Sequence, residues 1–205
     1  MITTWGYELT ELTSVPNMLT VSEFNEFTGN QYGTDEDRVT AEIAAASAAI
    51  RNFVGWHLAP SAACKLDTFM LDRRISAVGR DILIQLPARY VTAVSSVTID
   101  GTTCEHFAVD PNGLVRVFDA GTFERYAPVE VIYTAGLADE MLAPVKELIA
   151  HRVTHSIAVP AGITSEASGG VSVTYNANWI NNSRATALVG DNRDLLIPYK
   201  VQGVF

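Results

Sequence analysis

The most regular pattern of hydrophobic positions in the chain lies between Thr34 and Gly55. Apolar side chains recur there every three or four residues, a spacing that places them on one stripe of an α-helix. The stripe consists of Val39, Ile43, Ala46, Ile50 and Phe53. Thr34 can cap the first free N–H groups, and Gly55 ends the pattern as glycine typically does after a helix. We predict an amphipathic helix that packs against a sheet, a second helix or a neighbouring subunit.

Two further segments have the features of helices. In Thr20 to Gly29, Thr20 and Glu23 have the spacing of a capping box, and the glycine ends the segment. Ala138 to Ser156 repeats apolar residues on one face and carries Pro144 in its first turn, where proline is tolerated. We therefore expect two to three helices.

Strand-like patterns fill much of the chain between Gly55 and Ala138. Val91 to Ile99 alternates, with its odd-numbered residues expected on one side of a sheet, and Asp100-Gly101 has the composition of a hairpin turn. A second turn is expected at Asp110 to Gly113. The other predicted strands are Lys65 to Leu71, Asp81 to Leu86, Phe107 to Val109, Leu114 to Phe118, Val129 to Thr134 and, after a loop from Val159 to Gly170, Val171 to Tyr175.

This order of elements predicts an α+β fold in which a helical body of two to three helices packs with a small antiparallel β-sheet. We expect an N-terminal arm over residues 1–17, a core domain over 18–175 and an extended C-terminal tail over 176–205. Both ends are apolar but lack a clear helical or strand period. We therefore expect the ends to become ordered against other polypeptides.

The charge of the chain argues against tight binding of nucleic acid. The formal net charge is −9 and the longest basic run is Arg73-Arg74, whereas phosphate binding needs clustered lysine and arginine. An acidic surface is compatible with a wall past which DNA slides without sticking. With 205 residues, of which 48% are hydrophobic, the chain can build one sizeable core and still expose apolar surface to partners. No segment has the pattern of a signal peptide or a membrane span, so we expect neither secretion nor membrane insertion.

Few residues suggest chemistry. Cys64 and Cys104 stand far apart in apolar contexts, so we expect two buried reduced thiols, with a disulfide or a reactive thiol as the alternatives. Glu147, His151 and His155 can line one face of the last predicted helix, as in a metal site. However, the catalytic HExxH motif needs a glutamate where this chain has an arginine. We expect a polar helix face and no cofactor, no metal and no enzyme, with a small metal-dependent enzyme as the alternative from another class.

Several segments, taken in order, resemble one known family. They are TVSEFNEFTG, EIAAASAAIRNFVGWHL, VSSVTIDG, VDPNGLVRV, VEVIYTAGL, PVKELIAHRVTH and GITSEASGGVSVTY. Their order and spacing from Leu19 to Tyr175 resemble the head-tail connector proteins of tailed bacteriophages, also called adaptor or head-completion proteins. The most specific pieces are Gly55-Trp56, the step from Tyr133 to Gly136, and the stretch from Ser165 to Tyr175. Both chain ends are longer than the minimal family pattern.

The resemblance implies a structural protein of the phage neck, assembled in the host cytoplasm. Such proteins form a ring of copies of themselves, often a dodecamer, which docks under the portal protein. The ring offers a platform to stopper or tail proteins, and DNA passes through its lumen without specific binding. A stopper or tail-completion protein is the alternative within virion proteins.

The resemblance also suggests which residues contact partners. DLLIPYK resembles the closing stretch of the family, and in relatives the C-terminal end reaches toward the portal. The expected portal contacts are Leu195, Leu196, Ile197, Tyr199, Val201, Val204 and Phe205. Contacts between subunits are expected from the segment Ile163 to Tyr175, at Ile163, Ser165, Glu166, Val171, Val173 and Tyr175.

Overall fold

Helices and antiparallel strands combine in an α+β fold, as the sequence predicts. The computed structural model describes residues 3–32, 35–158, 165–168, 171–174 and 194–201. Within these residues the helices are α1 (Val21–Thr28), α2 (Glu36–Val54) and α3 (Ala143–Ala158), with 3-10 turns at Asp139–Leu142 and Ile197–Tyr199. The strands are β1 (Glu8–Leu9), β2 (Ala62–Phe69), β3 (Ile75–Val78), β4 (Asp81–Gln85), β5 (Val91–Ile99), β6 (Thr102–Thr103), β7 (Phe107–Val109), β8 (Leu114–Val117), β9 (Pro128–Ala135), β10 (Ser165–Ser168) and β11 (Val171–Thr174).

The chain divides into two compact units. Unit 1 comprises the described residues of Met1–Pro16, Val54–Asp139 and Tyr199–Phe205, and unit 2 comprises those of Asn17–Phe53 and Glu140–Pro198. Unit 1 holds β1 to β9, and unit 2 holds α1, α3, most of α2 and the β10–β11 hairpin. Each unit therefore collects segments that are distant along the chain. The division into an arm, a core domain and a tail remains a prediction.

Unit 1 contains two antiparallel sheets. The first has the strand order β1-β2-β9-β5-β6, and the second has the order β3-β4-β8-β7. On the long central strand β9, Tyr133 lies opposite Cys64 and Val131 lies opposite Leu66. All four side chains are buried, so alternate positions of β2 and β9 form a core, as expected for a sheet with one covered face.

The hairpin turn after β5 is confirmed. Asp100 and Gly101 have φ values of 51° and 74°, as the predicted turn with two positive φ angles requires. The predicted alternation along β5 is only partly correct. Val91, Val97 and Ile99 are buried, whereas Ala93 and Ser95 are exposed, because the register with β9 shifts twice along the strand.

Polar side chains cap helix α1 of unit 2 and connect the helices of this unit to one another. The capping box of α1 is confirmed, since Thr20 and Glu23 each accept a hydrogen bond from the other's backbone N–H. The Lys146 ammonium of α3 lies 2.5 Å from the Glu23 carboxylate. At the start of α2, Arg38 donates a hydrogen bond of 3.3 Å to the Ser156 carbonyl at the end of α3.

The predicted cap of α2 needs a correction. The Asp35 carboxylate accepts a hydrogen bond of 3.1 Å from the Arg38 backbone N–H, so Asp35 is the capping residue. The predicted cap, Thr34, lies outside the described residues. The predicted end is confirmed, because α2 stops at Val54 and Gly55 has a φ of 82°.

The sequence underestimates the number of strands. Short strands β1, β3 and β10 are not predicted, and β10 lies inside the predicted loop Val159 to Gly170. Near the N-terminus, Tyr7 and Leu9 are buried and β1 pairs with β2. These two side chains are therefore covered by the chain itself, contrary to the expectation that they become ordered only against another polypeptide.

Candidate interaction surfaces

The predicted portal contacts near the C-terminus differ in accessibility. Leu195 and Ile197 are 58% and 55% exposed, whereas Leu196 between them is 1% exposed. A 3-10 turn from Ile197 to Tyr199 begins directly after the buried Leu196. Leu195 and Ile197 are therefore accessible to a partner without any rearrangement of the chain. Val204 and Phe205 lie outside the described residues.

Residues 199–201 are held in unit 1 by main-chain hydrogen bonds. The Trp56 indole N–H donates to the Tyr199 carbonyl over 2.7 Å. The Val201 N–H donates to the Val54 carbonyl over 3.0 Å, and the Arg89 guanidinium donates to the Lys200 carbonyl over 3.2 Å. Tyr199 and Val201 are half-buried there. We call Val54, Trp56, Arg89 and Tyr90 the tail-binding site, where tail means the C-terminal tail of this chain and not the phage tail.

Aromatic rings form the floor of the tail-binding site. The Trp56 and Tyr90 rings are stacked with centroids 6.3 Å apart, and the Tyr199 ring lies 6.0 Å from Tyr90. Trp56 is fully buried, so its indole N–H needs an internal acceptor. The Tyr199 carbonyl supplies this acceptor. Burial raises the pKa of Tyr199, with a smaller contribution from Tyr90.

The predicted subunit-contact residues fall on a hairpin in unit 2. Strands β10 and β11 pair so that Ser165 lies opposite Thr174, Glu166 opposite Val173, and Ser168 opposite Val171. The two residues between the strands are both glycine, the composition expected for a two-residue hairpin connection. Ile163 and Tyr175 lie outside the described residues.

The residues of the possible metal site do not form a ligand cluster. His151 Nε2 lies 3.7 Å from Glu147 Oε1, and both side chains are largely exposed. His155 is half-buried, and burial lowers its pKa. Among the residues that the structure describes, no group of three His, Cys, Asp or Glu side chains is placed to hold a metal ion.

The two cysteines have different environments. Both thiols are free; Cys64 is buried and Cys104 is half-buried, so the expectation of two buried thiols is correct only for Cys64. Burial raises the pKa of Cys64 to about 12. Burial also raises the pKa of Cys104. Neither thiol is therefore activated as a nucleophile, which requires a lowered pKa.

A buried polar network connects the N-terminal segment to unit 1, and the sequence did not reveal it. Tyr7 Oη lies 2.6 Å from His57 Nδ1, and His57 Nε2 lies 3.1 Å from the Ala135 carbonyl. A carbonyl only accepts, so Nε2 carries the proton and Nδ1 accepts the hydrogen bond from the Tyr7 hydroxyl. The His57 backbone N–H donates to Tyr7 Oη over 3.0 Å. The network ties the chain near its beginning to β9.

Gly136 explains the step from strand to helix that the resemblance singled out. Its φ is 132°, and a Cβ atom there would lie 2.4 Å from the Pro60 carbonyl oxygen and 2.6 Å from Ser61 Cα. Contacts this short do not occur for real Cβ atoms. Only glycine therefore lets the chain after β9 pass this backbone.

One group of exposed apolar side chains in unit 1 was not predicted as a contact. Phe69, Leu71 and Tyr126 are exposed large side chains at one end of the β2–β9 pair. The Met70 N–H donates to the Ala127 carbonyl over 3.0 Å, one position beyond the last paired residues of β2 and β9. Exposed apolar surface of this kind is typical of protein contacts.

A comparison with known protein families finds a family whose profile matches most of the chain. The profile of the family described as head completion protein matches residues 17–182. No curated protein matches the chain. Within the described residues, no helix has both the length and the apolar character needed to cross a membrane.

Proposed function

Since the chain belongs to the head completion protein family, we propose that this phage structural protein forms the ring that joins the DNA-filled head to the tail. In this proposal the ring binds the portal protein on one side and a stopper or tail protein on the other, at the neck of the virion. The observation that carries the proposal is the pair of exposed apolar side chains, Leu195 and Ile197, in the C-terminal segment. Leu195 precedes and Ile197 begins a 3-10 turn whose last residue, Tyr199, accepts the hydrogen bond from Trp56 in unit 1.

The portal is the partner that we propose for the C-terminal segment. Leu195 and Ile197 are exposed apolar side chains two positions apart, while the main chain of residues 199–201 is fixed by the tail-binding site. A preorganised apolar pair gains affinity because little conformational entropy is lost when it binds. Leu196 is buried in the isolated chain, so Leu195 and Ile197 make the proposed contact and Leu196 supports the turn.

A ring of identical subunits requires two different, complementary surfaces on each copy. We propose that the β10–β11 hairpin, with Ser165, Glu166, Val171 and Val173, forms one of these surfaces and reaches the neighbouring subunit. A stable interface buries ~800 Å² on each partner. A hairpin of two four-residue strands is smaller than that, so further surface such as Phe69, Leu71 and Tyr126 would have to contribute.

The proposed lumen would carry DNA without binding it. The net charge of −9 disfavours contacts with phosphates, because few cations are available to neutralise them. In this proposal part of the acidic excess faces the lumen. Replacing those acids by lysine should slow DNA ejection, and an unchanged ejection rate would remove this part of the proposal.

The portal contact can be tested with substitutions that leave the fold intact. Leu195→Asp combined with Ile197→Asp places two charges on the exposed pair, and binding to purified portal should fall at least tenfold. Phe27→Asp is the matched control, because Phe27 is equally exposed on α1, and it should bind portal as the parent does. Unchanged portal binding by the double variant would show that Leu195 and Ile197 are not the portal contact. Binding of the parent protein to the tail tube and not to the portal would favour a stopper or tail-completion protein.

A further inference from the structure

We propose that the tail-binding site of one copy accepts the C-terminal segment of a second copy in exchange for its own. The inference rests on the proposed assembly of several copies and names residues through which one copy holds the next. The site consists of Val54, Trp56, Arg89 and Tyr90, as defined above. The segment that it binds is residues 199–201.

The tail-binding site recognises the main chain of the segment that it binds. All three hydrogen bonds are made to backbone groups of the segment, namely the carbonyls of Tyr199 and Lys200 and the N–H of Val201. Such contacts need a peptide in the correct conformation, but they do not need it to be continuous with the same chain. Recognition of this kind is the basis of peptide binding by main-chain pairing.

One side chain adds selectivity. The Tyr199 ring packs against Tyr90, which stacks on Trp56. Aromatic pairs of this geometry contribute beyond the area that they bury. The site therefore prefers a peptide with an aromatic residue at the first of three consecutive positions, and the chain's own C-terminal segment meets that requirement.

The chain is long enough for exchange between copies. Nineteen residues, 175–193, separate β11 from Asp194 along the sequence. Fully extended, nineteen residues span at most ~65 Å. A folded chain of this size has a radius of gyration of about 17 Å. The length of the connection thus permits the segment to reach the same site on an adjacent copy.

The second copy is the occupant that the observations favour. It carries the identical segment, so every contact made within one chain can be reproduced between two chains without any new surface. Exchange of an identical element is a low-cost route to assembly for this reason. Within one chain the segment competes at the effective concentration set by its connection, so exchange becomes favourable when copies are concentrated side by side.

Crosslinking between full-length copies tests the exchange. One copy carries Asn112→Cys and the other Lys200→Cys, because Arg89 donates to both the Asn112 side chain and the Lys200 carbonyl and itself stays intact. Cys104→Ser is present in both to remove the half-buried thiol, and the two copies differ in tag. A short bismaleimide reagent should join the two differently tagged copies when they are mixed, and an excess of peptide 194–205 should suppress this product.

A double variant, Asn112→Cys with Lys200→Cys in one chain, calibrates the experiment. It should crosslink within the chain when dilute and between chains when concentrated. Efficient crosslinking inside the double variant, together with none between the two single variants at any concentration, would overturn the inference. The site would then be an internal anchor only.

Peptide binding provides a second readout that does not depend on ring formation. The full-length chain should bind fluorescent peptide 194–205 with a saturable change in anisotropy, because the peptide competes with the chain's own segment for the site. Arg89→Ala in that chain, or Tyr199→Ala in the peptide, should weaken binding about tenfold. If copies crosslink through the segment but electron microscopy shows no rings, the proposed ring fails while the exchange stands. If rings form without crosslinks, the exchange fails alone.

Discussion

The indole N–H of Trp56 donates a hydrogen bond of 2.7 Å to the main-chain carbonyl of Tyr199, a residue 143 positions away in the sequence. Trp56 is buried and follows the glycine that ends α2. Tyr199 ends the 3-10 turn whose first residue, Ile197, is exposed. This hydrogen bond therefore holds the last residue of the turn that begins with Ile197, one of the two proposed portal contacts.

Trp56→Phe should loosen the C-terminal segment without unfolding unit 1. Phenylalanine retains most of the apolar contact but removes the donor, so the Tyr199 carbonyl loses its partner at a cost of about 1–3 kcal/mol. The Val201 N–H, which donates to Val54, should then exchange its hydrogen faster. Hydrogen exchange measured by NMR checks this at the single amide.

Trp5→Phe serves as the control for that measurement. Trp5 is half-buried in the same unit but does not donate to the C-terminal segment. It should leave the exchange rate of the Val201 amide unchanged. Equal rates in Trp56→Phe and in the parent would show that the indole N–H does not hold the segment.

Gly136→Ala should severely destabilise unit 1. The added Cβ would lie 2.4 Å from the Pro60 carbonyl oxygen, and backbone on both sides leaves no flexible side chain to move aside. We expect a loss of more than about 3 kcal/mol in the free energy of unfolding. Gly121→Ala, where φ is also positive but no atom lies within 4 Å, should cost only ~1 kcal/mol. Urea denaturation of the two variants should separate them clearly, and similar losses would contradict the steric argument.

Asp72 makes the stability of unit 1 sensitive to acid. Its carboxylate accepts hydrogen bonds from the Arg74 side chain, the Arg74 N–H and the Thr68 hydroxyl. The hydrogen bonds from the Arg74 side chain hold the pKa of Asp72 well below its ordinary value, although burial opposes them. A carboxyl with a lowered folded-state pKa stabilises the fold above its unfolded-state pKa, which is ~3.9 for aspartate, and loses this contribution as the pH falls toward the folded-state value.

Asp72→Asn should therefore lower stability at neutral pH by about 1–3 kcal/mol. Below pH 4, the free energy of unfolding of Asp72→Asn should fall less steeply with decreasing pH than that of the parent. The measurement is urea denaturation across this pH range. Asp67→Asn, on the exposed side of β2, is the control and should follow the parent. Parallel curves for Asp72→Asn and the parent would refute the role of Asp72.

The Glu23–Lys146 pair should stabilise the contact between α1 and α3. Burial raises the pKa of Glu23, but the hydrogen bonds from Lys146 and Thr20 outweigh it and leave that pKa below its ordinary value. Glu23→Gln removes the negative charge that the buried Lys146 ammonium contacts in this pair. We expect a loss of ~1–3 kcal/mol at neutral pH, against less than ~0.5 kcal/mol for Glu26→Gln, an exposed position on the same helix. A smaller loss in Glu23→Gln than in Glu26→Gln would be inconsistent with a stabilising pair.

Local pattern was sufficient to predict the elements that are stabilised locally. The capping box at Thr20, the stop at Gly55 and the Asp100-Gly101 turn depend on residues within four positions of one another, so the sequence contains the whole interaction. Strand β1 is different. It has two residues, and its place depends on pairing with β2, more than fifty positions later. No local period can indicate such a pairing.

The candidate surfaces were predictable to the same limited degree. The apolar character of Leu195 to Ile197 is visible in the sequence, but which of the three side chains is buried depends on the turn and on long-range packing. The tail-binding site brings together residues near positions 55, 90 and 200, and nothing in the sequence joins these three places. Likewise the Tyr7–His57 hydrogen bond links segments that have no shared motif.

Electron microscopy of the purified protein mixed with its portal protein tests the central claim most directly, since it reports partner, symmetry and shape together. The account predicts closed rings seated coaxially on the portal, and it predicts that Leu195→Asp with Ile197→Asp removes the ring from the portal. Free portal alongside monomers of this protein, at concentrations where both partners are intact, would contradict it.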